Sequence, residues 1–177
     1  MILVSSCLLG IRAKYDGSQN TVEALLDLCR QGLVVPVCPE QLGGFSTPRP
    51  PVELRGEGGG EAVLNGQAIA VNENGVDITE GFIEGARQTL RVARLFGATA
   101  AILKERSPSC GVHLIYDGAF AGNRIEGQGV AAALLRREGI PIYSEEDLTE
   151  ELLEKLAKEA SAPFARRSLP TDHASTV

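Results

Sequence analysis

The sequence predicts an α/β fold built around a parallel sheet. Short, unbroken apolar runs alternate along the chain with longer amphipathic segments, and glycines follow several of these segments as they do at helix ends. Strands that alternate with helices form parallel sheets joined by right-handed crossovers. We therefore expect a Rossmann-like parallel sheet of about four strands, flanked by helices.

The core strands are predicted at residues 1–6, 33–37, 99–103 and 140–143, because these runs are apolar without alternating and so suit strands buried on both faces. A first helix, capped by Ser18 or Asn20, places its apolar residues three and four positions apart and ends at Gly32. A capping box at Asp77 opens a second helix that runs to about residue 96. A third is predicted at residues 127–138, and a fourth is capped by Ser144 with Asp147.

One or two small β-hairpin insertions are expected. Asn65-Gly66, a strong hairpin signal, separates residues 62–64 from residues 67–71, and a second hairpin is predicted at residues 114–125. Residues 41–61 are rich in glycine and proline and are predicted to be a long loop, of the kind that forms a lid or is disordered. The chain is thus expected to be one domain, residues 1–160, followed by a flexible tail at 161–177.

Composition excludes several classes of function. A net charge of −6 and a pI near 5.0 disfavour binding to nucleic acid, which requires a basic face. No apolar run is long enough to cross a membrane, and no signal peptide is evident, so a cytoplasmic protein is expected. The partner is predicted to be a small molecule. The sequence leaves the oligomeric state open.

Three cysteines follow directly behind predicted strands. Cys7, Cys38 and Cys110 each lie at the carboxyl end of a different strand, where parallel sheets bind their ligands. Thiolates suit zinc and iron–sulfur centres, so one interpretation is a shared metal or cluster site. The alternative is three core thiols that happen to end strands. Cys29 lies on the apolar face of the first helix and is predicted to be a core thiol.

A nucleophilic role for Cys7 is disfavoured. A phosphatase loop requires five residues between the cysteine and an arginine, and Arg12 leaves four. Neither histidine offers a convincing base, because His173 is in the predicted tail and His113 begins a predicted hairpin strand.

Polar residues accompany these cysteines. Glu40 follows Cys38 by two positions, so it is a candidate general acid or base, or else a helix-capping carboxylate. Ser107 and Ser109 could donate to a substrate or to cluster sulfides, or could close Ser-Pro turns. Lys104 and Arg49 could hold an anion or form ion pairs.

At these residues the sequence resembles a bacterial family, first described as a domain of unknown function, that includes the thiouracil desulfidases. The resemblance covers roughly residues 1–145. Its motifs are SCLLG at 6–10, VCPE at 37–40, TPRPP at 47–51, SPSCG at 107–111, YDG at 116–118 and GVAAALL at 129–135.

The resemblance implies a 4Fe-4S cluster held by Cys7, Cys38 and Cys110, with one iron left open for the sulfur of the substrate. It implies a non-redox desulfidase reaction, in which water replaces the sulfur of a small thiolated compound such as a thiouracil or related thiobase. Glu40 would be the acid/base residue and Ser107 a hydrogen-bond partner of the substrate or its sulfur. Ser109, Lys104 and Arg49 are the candidate substrate-binding residues.

Two segments depart from the family pattern. Gly44-Phe45-Ser46 replaces the more usual Gly-Leu-Pro, and the triple glycine at 58–60 resembles an extension of the lid. Both are expected to lie where the substrate is selected. The alternative to an enzyme is a non-catalytic module in which the thiolates hold zinc or a cluster for structure or sulfur storage.

Overall fold

The computed structural model describes residues 1–161, which form eight strands and six α-helices. The strands are β1 (Ile2–Ser5), β2 (Val34–Val37), β3 (Val52–Arg55), β4 (Ile69–Asn72), β5 (Ala100–Leu103), β6 (Leu114–Tyr116), β7 (Arg124–Glu126) and β8 (Ile142–Ser144). The helices are α1 (Glu23–Arg30), α2 (Pro39–Leu42), α3 (Gly59–Leu64), α4 (Thr79–Leu95), α5 (Val130–Arg137) and α6 (Glu150–Ser161), with a 3-10 helix at Ser6–Leu9.

The central sheet has four parallel strands in the order β2-β1-β5-β8, which confirms the predicted fold class. Ile2 pairs with Val34 on one side and with Ala100 on the other. Pro36 lies within β2, where its missing N–H is tolerated because β2 is an edge strand.

Helices cover both faces of this sheet. Ile2 and Val4 point to a core shared with α1 and α6, whereas Leu3 points to a core shared with α4 and α5. Successive residues of a strand face opposite sides, so a strand covered on both faces must be apolar at every position. The unbroken apolar runs in the sequence therefore reflect a three-layer fold.

Two antiparallel pairs flank the central sheet. β3 pairs with β4, and β6 pairs with β7, so the hairpin predicted at 114–125 is confirmed. A third apolar core joins Val52 and Leu54 of β3 to Val63 of α3 and Phe82 of α4.

The hairpin predicted around Asn65-Gly66 is wrong. Residues before it form α3, and Gly66 adopts the left-handed conformation (φ 72°) that ends helices. Strand β4 pairs instead with β3, which lies inside the segment predicted as a long loop, so that prediction is also wrong. The triple glycine extends no lid: a Cβ at Gly60 would lie 2.4 Å from the carbonyl oxygen of Gly129, so this glycine lets α3 contact α5.

The predicted caps also need correction. Helix α1 begins at Glu23, after both predicted caps. Asp77 accepts a hydrogen bond from the Thr79 N–H (2.9 Å) in a turn before α4, and makes no capping box. Before α6 the hydroxyl of Thr149 accepts the Leu152 N–H at 3.2 Å, while Asp147 binds back to Ser144.

The predicted tail starts at Ser161, the last residue of α6, and its remainder lies outside the described residues. Within residues 1–161, no helix combines the length and apolar character needed to cross a membrane.

Candidate functional site

A cavity of about 580 Å³ opens at the carboxyl end of the parallel sheet. Cys7 enters it from the 3-10 helix after β1, Cys38 from the residue after β2, and Cys110 from the loop after β5. Because β2, β1 and β5 are neighbours in the sheet, three cysteines distant in sequence line one cavity. The predicted convergence of these residues is thus observed, and Cys29 on α1 is not part of the lining.

All three thiols are free and disfavour ionisation. Burial, and after it the neighbouring Cys38, raise the pKa of Cys7 to about 11. Burial also raises the pKa of Cys38 and of Cys110, and the Cys110 pKa is raised additionally by Cys38 and Cys7. Cys7 thus lies close enough to Cys38, and Cys110 close enough to both, for a negative charge on the neighbour to disfavour ionisation.

The donor set around the cavity suits an iron–sulfur cluster. Among residues 1–161, no three His, Cys, Asp or Glu side chains converge closely enough to hold one metal ion. A cluster spreads its thiolate ligands over different irons and so accepts a wider arrangement. Three soft sulfur donors around one cavity match that requirement.

Glu40 and Arg49 form a buried ion pair beside Cys38. Arg49 Nε donates to Glu40 Oε2 at 2.5 Å, and the side chains of Arg49 and Glu40 are only 7% and 11% exposed. Arg49 also donates to the carbonyl of Ala13 (3.0 Å), and its Nη2 lies 4.0 Å from Cys38 Sγ. The arginine thus fixes the orientation of the carboxylate in the cavity wall.

The serines predicted as site residues organise the same wall. Ser109 is buried outside the cavity lining and donates to Glu40 Oε1 at 3.3 Å. Ser107 lines the cavity, and its oxygen accepts the N–H groups of Ser109 (3.2 Å) and Cys110 (3.1 Å). A hydroxyl that accepts from the backbone keeps its own proton for another partner.

Lys104 lines the part of the cavity near Cys7. Its ammonium group pairs with Glu145 and donates to the carbonyl of Glu105 at 3.1 Å. The pKa of Cys7 responds to both charges, since Lys104 lowers it and Glu145 raises it, after the larger effects of burial and Cys38. Lys104 and Arg49 therefore both line the cavity as members of ion pairs.

Glu105, for which no role was predicted from the sequence, is 2% exposed and organises the Cys110 loop. Its carboxylate accepts backbone N–H groups from Arg106, Val112, His113 and Leu114. Burial opposes ionisation of Glu105, but these N–H donors outweigh it and lower its pKa. The available signal was a carboxylate directly behind a core strand, in a stretch dense with reactive groups.

Phe45, in the segment expected to select the substrate, does not line this cavity. Its ring packs against Phe82 with 5.5 Å between centroids, in a separate groove beside α4. This expectation is corrected by the packing: the aromatic side chain of residue 45 fills the space beside Gly81, where a Cβ would lie 2.4 Å from the ring.

The family model described as 2-thiouracil desulfurase matches residues 2–147. YbbK of Bacillus subtilis (strain 168), an uncharacterised protein, is 51% identical over 150 residues, which cover 85% of this chain and 99% of YbbK.

A solved structure of TudS, a [4Fe-4S]-dependent thiouracil desulfidase, is similar in both fold and sequence. It shares 40% identity with this chain at a TM-score of 0.76, over 90% of this chain and 97% of TudS.

Proposed function

Because the chain belongs to the 2-thiouracil desulfurase family, we propose that it releases sulfur as sulfide from a small thiolated compound, such as a thiouracil or related thiobase. The proposed reaction is non-redox and depends on a 4Fe-4S cluster, as named for the similar TudS structure. The single observation that carries this proposal is the cavity that three cysteines from adjacent strands line beside a buried carboxylate.

Cys7, Cys38 and Cys110 are the proposed ligands, leaving one iron open to the substrate. When bound, the cluster would supply a Lewis acid for the sulfur of the substrate. Since burial raises the pKa of all three thiols, they must lose protons when they bind iron.

The overall reaction exchanges sulfur for the oxygen of water. The carbon–sulfur bond breaks, a carbon–oxygen bond forms, and both protons of water leave with sulfur as hydrogen sulfide. Glu40 is the proposed acid/base residue, because it can take a proton from water and return it to the departing sulfur. Arg49 and Ser109 each donate a hydrogen bond to one oxygen of Glu40. Their proposed role in substrate binding is therefore to orient this carboxylate toward the substrate.

Ser107 and Lys104 complete the proposed site. The Ser107 oxygen already accepts two backbone N–H groups, so its O–H is free to donate to the substrate or its sulfur. Lys104 lies close enough to Cys7 to lower the pKa of that thiol, and its charge would favour the bound thiolate.

Anaerobic reconstitution with iron and sulfide tests the ligand set. We expect a brown protein that releases sulfide from 2-thiouracil or a related thiobase, and that loses its colour in Cys7→Ser, Cys38→Ser and Cys110→Ser. Cys29→Ser is the matched control and should keep the cluster. One tightly bound zinc with no sulfide release would instead support the non-catalytic module, and loss of the cluster in Cys29→Ser alone would contradict the assignment.

Glu40→Gln tests the acid/base role. The variant should retain the cluster spectrum but turn over about 100-fold more slowly, the usual loss when a positioned proton-transfer group is removed. Turnover is measured as sulfide release under saturating 2-thiouracil. A Glu40→Gln enzyme with unchanged turnover would remove this residue from the mechanism.

A further inference from the structure

One part of the cavity lining has no role in the proposed reaction. Glu53 of β3, Tyr116 of β6 and Phe120 of the β6–β7 loop all line the cavity. Of the three tyrosines and five phenylalanines in the chain, Tyr15, Tyr116 and Phe120 line it. Aromatic side chains are thus concentrated where a small substrate would bind.

Glu53 is a buried carboxylate with one oxygen occupied and one available. Its Oε2 accepts the N–H groups of Gly118 (2.9 Å) and Phe120 (3.0 Å), and the residue is 7% exposed. In residues 1–161, every fully buried side-chain oxygen or nitrogen has a hydrogen-bond partner. Within the same residues, Oε1 of Glu53 accepts no hydrogen bond, so this oxygen cannot be fully buried. Oε1 is therefore accessible, and the cavity is the space that Glu53 lines.

Phe120 is held in a strained backbone conformation. Its φ of 55° is rare for a bulky residue. Within residues 1–161, Arg106 (φ 61°) is the other non-glycine residue with positive φ, and it lines the same cavity. Strain of this kind persists only where surrounding contacts enforce it, and it is concentrated at ligand sites.

Contacts from two directions enforce the position of Phe120. From outside its hairpin, Glu53 Oε2 binds its N–H, and Gly118 lies so close to β3 that a Cβ there would be 2.7 Å from the carbonyl oxygen of Leu54. Within the hairpin, Asp117 accepts the N–H of Ala119 at 3.0 Å and the Asn123 side-chain amide at 3.0 Å.

We propose that Glu53 and Phe120 form a ring-recognition subsite for the substrate. This rests on the proposed function. Phe120 stacks on a flat ring, and Glu53 Oε1 accepts a hydrogen bond from a ring N–H. The substrate class selected is a planar heterocyclic thione with an N–H beside its thiocarbonyl carbon. Acyclic thioureas lack the ring face, and fully N-alkylated thiones lack the donor.

Phe120→Leu tests stacking, because it keeps an apolar side chain but removes the flat face. In the reconstituted enzyme, KM for 2-thiouracil should rise about tenfold, the scale of one lost base–aromatic stack, with a much smaller change for thiourea. Phe120→Tyr keeps the flat ring, so its KM for 2-thiouracil should equal that of the natural protein. Phe96→Leu changes an exposed phenylalanine outside the cavity and serves as the control. Equal changes for both substrates would overturn the stacking role.

Glu53→Gln tests the acceptor. The glutamine oxygen can still hold the N–H groups of Gly118 and Phe120, but an NH₂ group then replaces Oε1 and cannot accept from the substrate. KM should rise for 2-thiouracil and stay unchanged for 1,3-dimethyl-2-thiouracil, which has no N–H. The same rise for both compounds would exclude the proposed hydrogen bond.

Uracil binding separates failure of the subsite from failure of the proposed function. Uracil keeps the ring and N–H groups but has no sulfur, so its affinity, measured by calorimetry on the reconstituted protein, reports ring recognition alone. Uracil binding that Phe120→Leu and Glu53→Gln weaken, with no sulfide release from any thione, would support the subsite and reject the desulfidase. Sulfide release that neither variant affects would reject the subsite alone, and absence of both binding and release would reject both.

Discussion

The Glu40–Arg49 pair is the most enclosed ion pair at the cavity wall, so we expect a single substitution in it to change the stability of the protein. Removing one partner of a buried pair leaves the other charge unpaired and desolvated. We expect Arg49→Met to lower the free energy of unfolding by about 3 kcal/mol, measured by urea denaturation of the apoprotein. The double variant Arg49→Met/Glu40→Gln should recover part of this loss, because it leaves no buried charge.

Arg94 provides the matched control for Arg49. It pairs with Glu138 at the surface, where the side chains are 47% and 35% exposed. Water screens such pairs, so Arg94→Met should change the free energy of unfolding by less than about 1 kcal/mol. An equal loss in the two arginine variants would show that burial does not decide the energetics of the Glu40 pair.

At the residue scale, the sequence was informative wherever topology alone decides position. Cys7, Cys38 and Cys110 follow strands, and the ends of neighbouring parallel strands must meet. Glu53 and Glu105 were missed because their importance depends on which backbone N–H groups reach them. Glu53 binds residues of a hairpin more than sixty positions away, and no local pattern reveals such a contact.

At the element scale, glycines let helix α2, which carries Glu40, pack closely against helix α4. Helix α2, which begins between Cys38 and Glu40, lies directly on the backbone of α4. A Cβ at Gly85 would be 2.1 Å from the carbonyl oxygen of Pro39, and a Cβ at Gly43 would be 2.2 Å from that of Gly81. No side chain separates the two helices at these points, so α4 determines where α2 lies.

Gly85→Ala should therefore displace Pro39, which is next to Cys38 in the chain, and so disturb the site. An alanine usually stabilises a helix relative to glycine by about 1 kcal/mol, but here the added methyl group must push Pro39 away. We expect a net loss of about 1–3 kcal/mol in unfolding free energy and less iron bound after reconstitution. Arg87→Ala, an exposed change in the same helix, should leave both measurements unchanged. A stabilised Gly85→Ala protein would contradict this packing.

Helix α3 shows why one element was assigned wrongly. The apolar residues 62–64 before Asn65-Gly66 suit a strand as well as a helix, and local turn chemistry favoured the hairpin. Tertiary packing decides otherwise, because Gly60 permits contact with α5 and Val63 enters the third core. The alternation Val52-Glu53-Leu54-Arg55 was the overlooked strand signal in the segment assigned to a loop.

At the scale of the whole molecule, the parallel sheet was predictable because its strands are buried on both faces, and such strands are apolar at every position. Each of the four core strands was predicted near its observed position. The β3–β4 pair and the β6–β7 pair are smaller and carry one wall of the cavity, including Glu53, Tyr116 and Phe120. The sheet thus determines where the site lies, and the smaller pairs determine much of its shape.

His113 and Asp147 join the segment before β6 to the segment after β8, so their titration affects the stability of the whole fold. The hydrogen bond to Asp147 raises the pKa of His113 above its usual 6.5. Burial opposes ionisation of Asp147, but bonds from Ser144 and His113 outweigh it and lower its pKa. The stabilisation from protonated His113 is therefore complete below pH 6.5 and disappears as pH rises through the raised pKa.

We expect the difference in unfolding free energy between the natural protein and His113→Gln to shrink as the pH rises above 6.5 and through the raised pKa of His113. Proton NMR should show that Asp147→Asn moves the pKa of His113 back toward 6.5. Glu126→Gln, a change of an exposed carboxylate on β7, is the control and should leave this titration in place. A stability difference that grows with pH would contradict the assigned sign.

The four N–H groups gathered by Glu105 have a consequence for ligand binding at Cys110. They tie residue 106 to residues 112–114, so the intervening loop is closed at its base by one side chain. The conformational entropy lost in closing that loop is then part of the folding free energy of the chain. A ligand that arrives at Cys110 meets an ordered loop, and its affinity is not reduced by the entropy of ordering one.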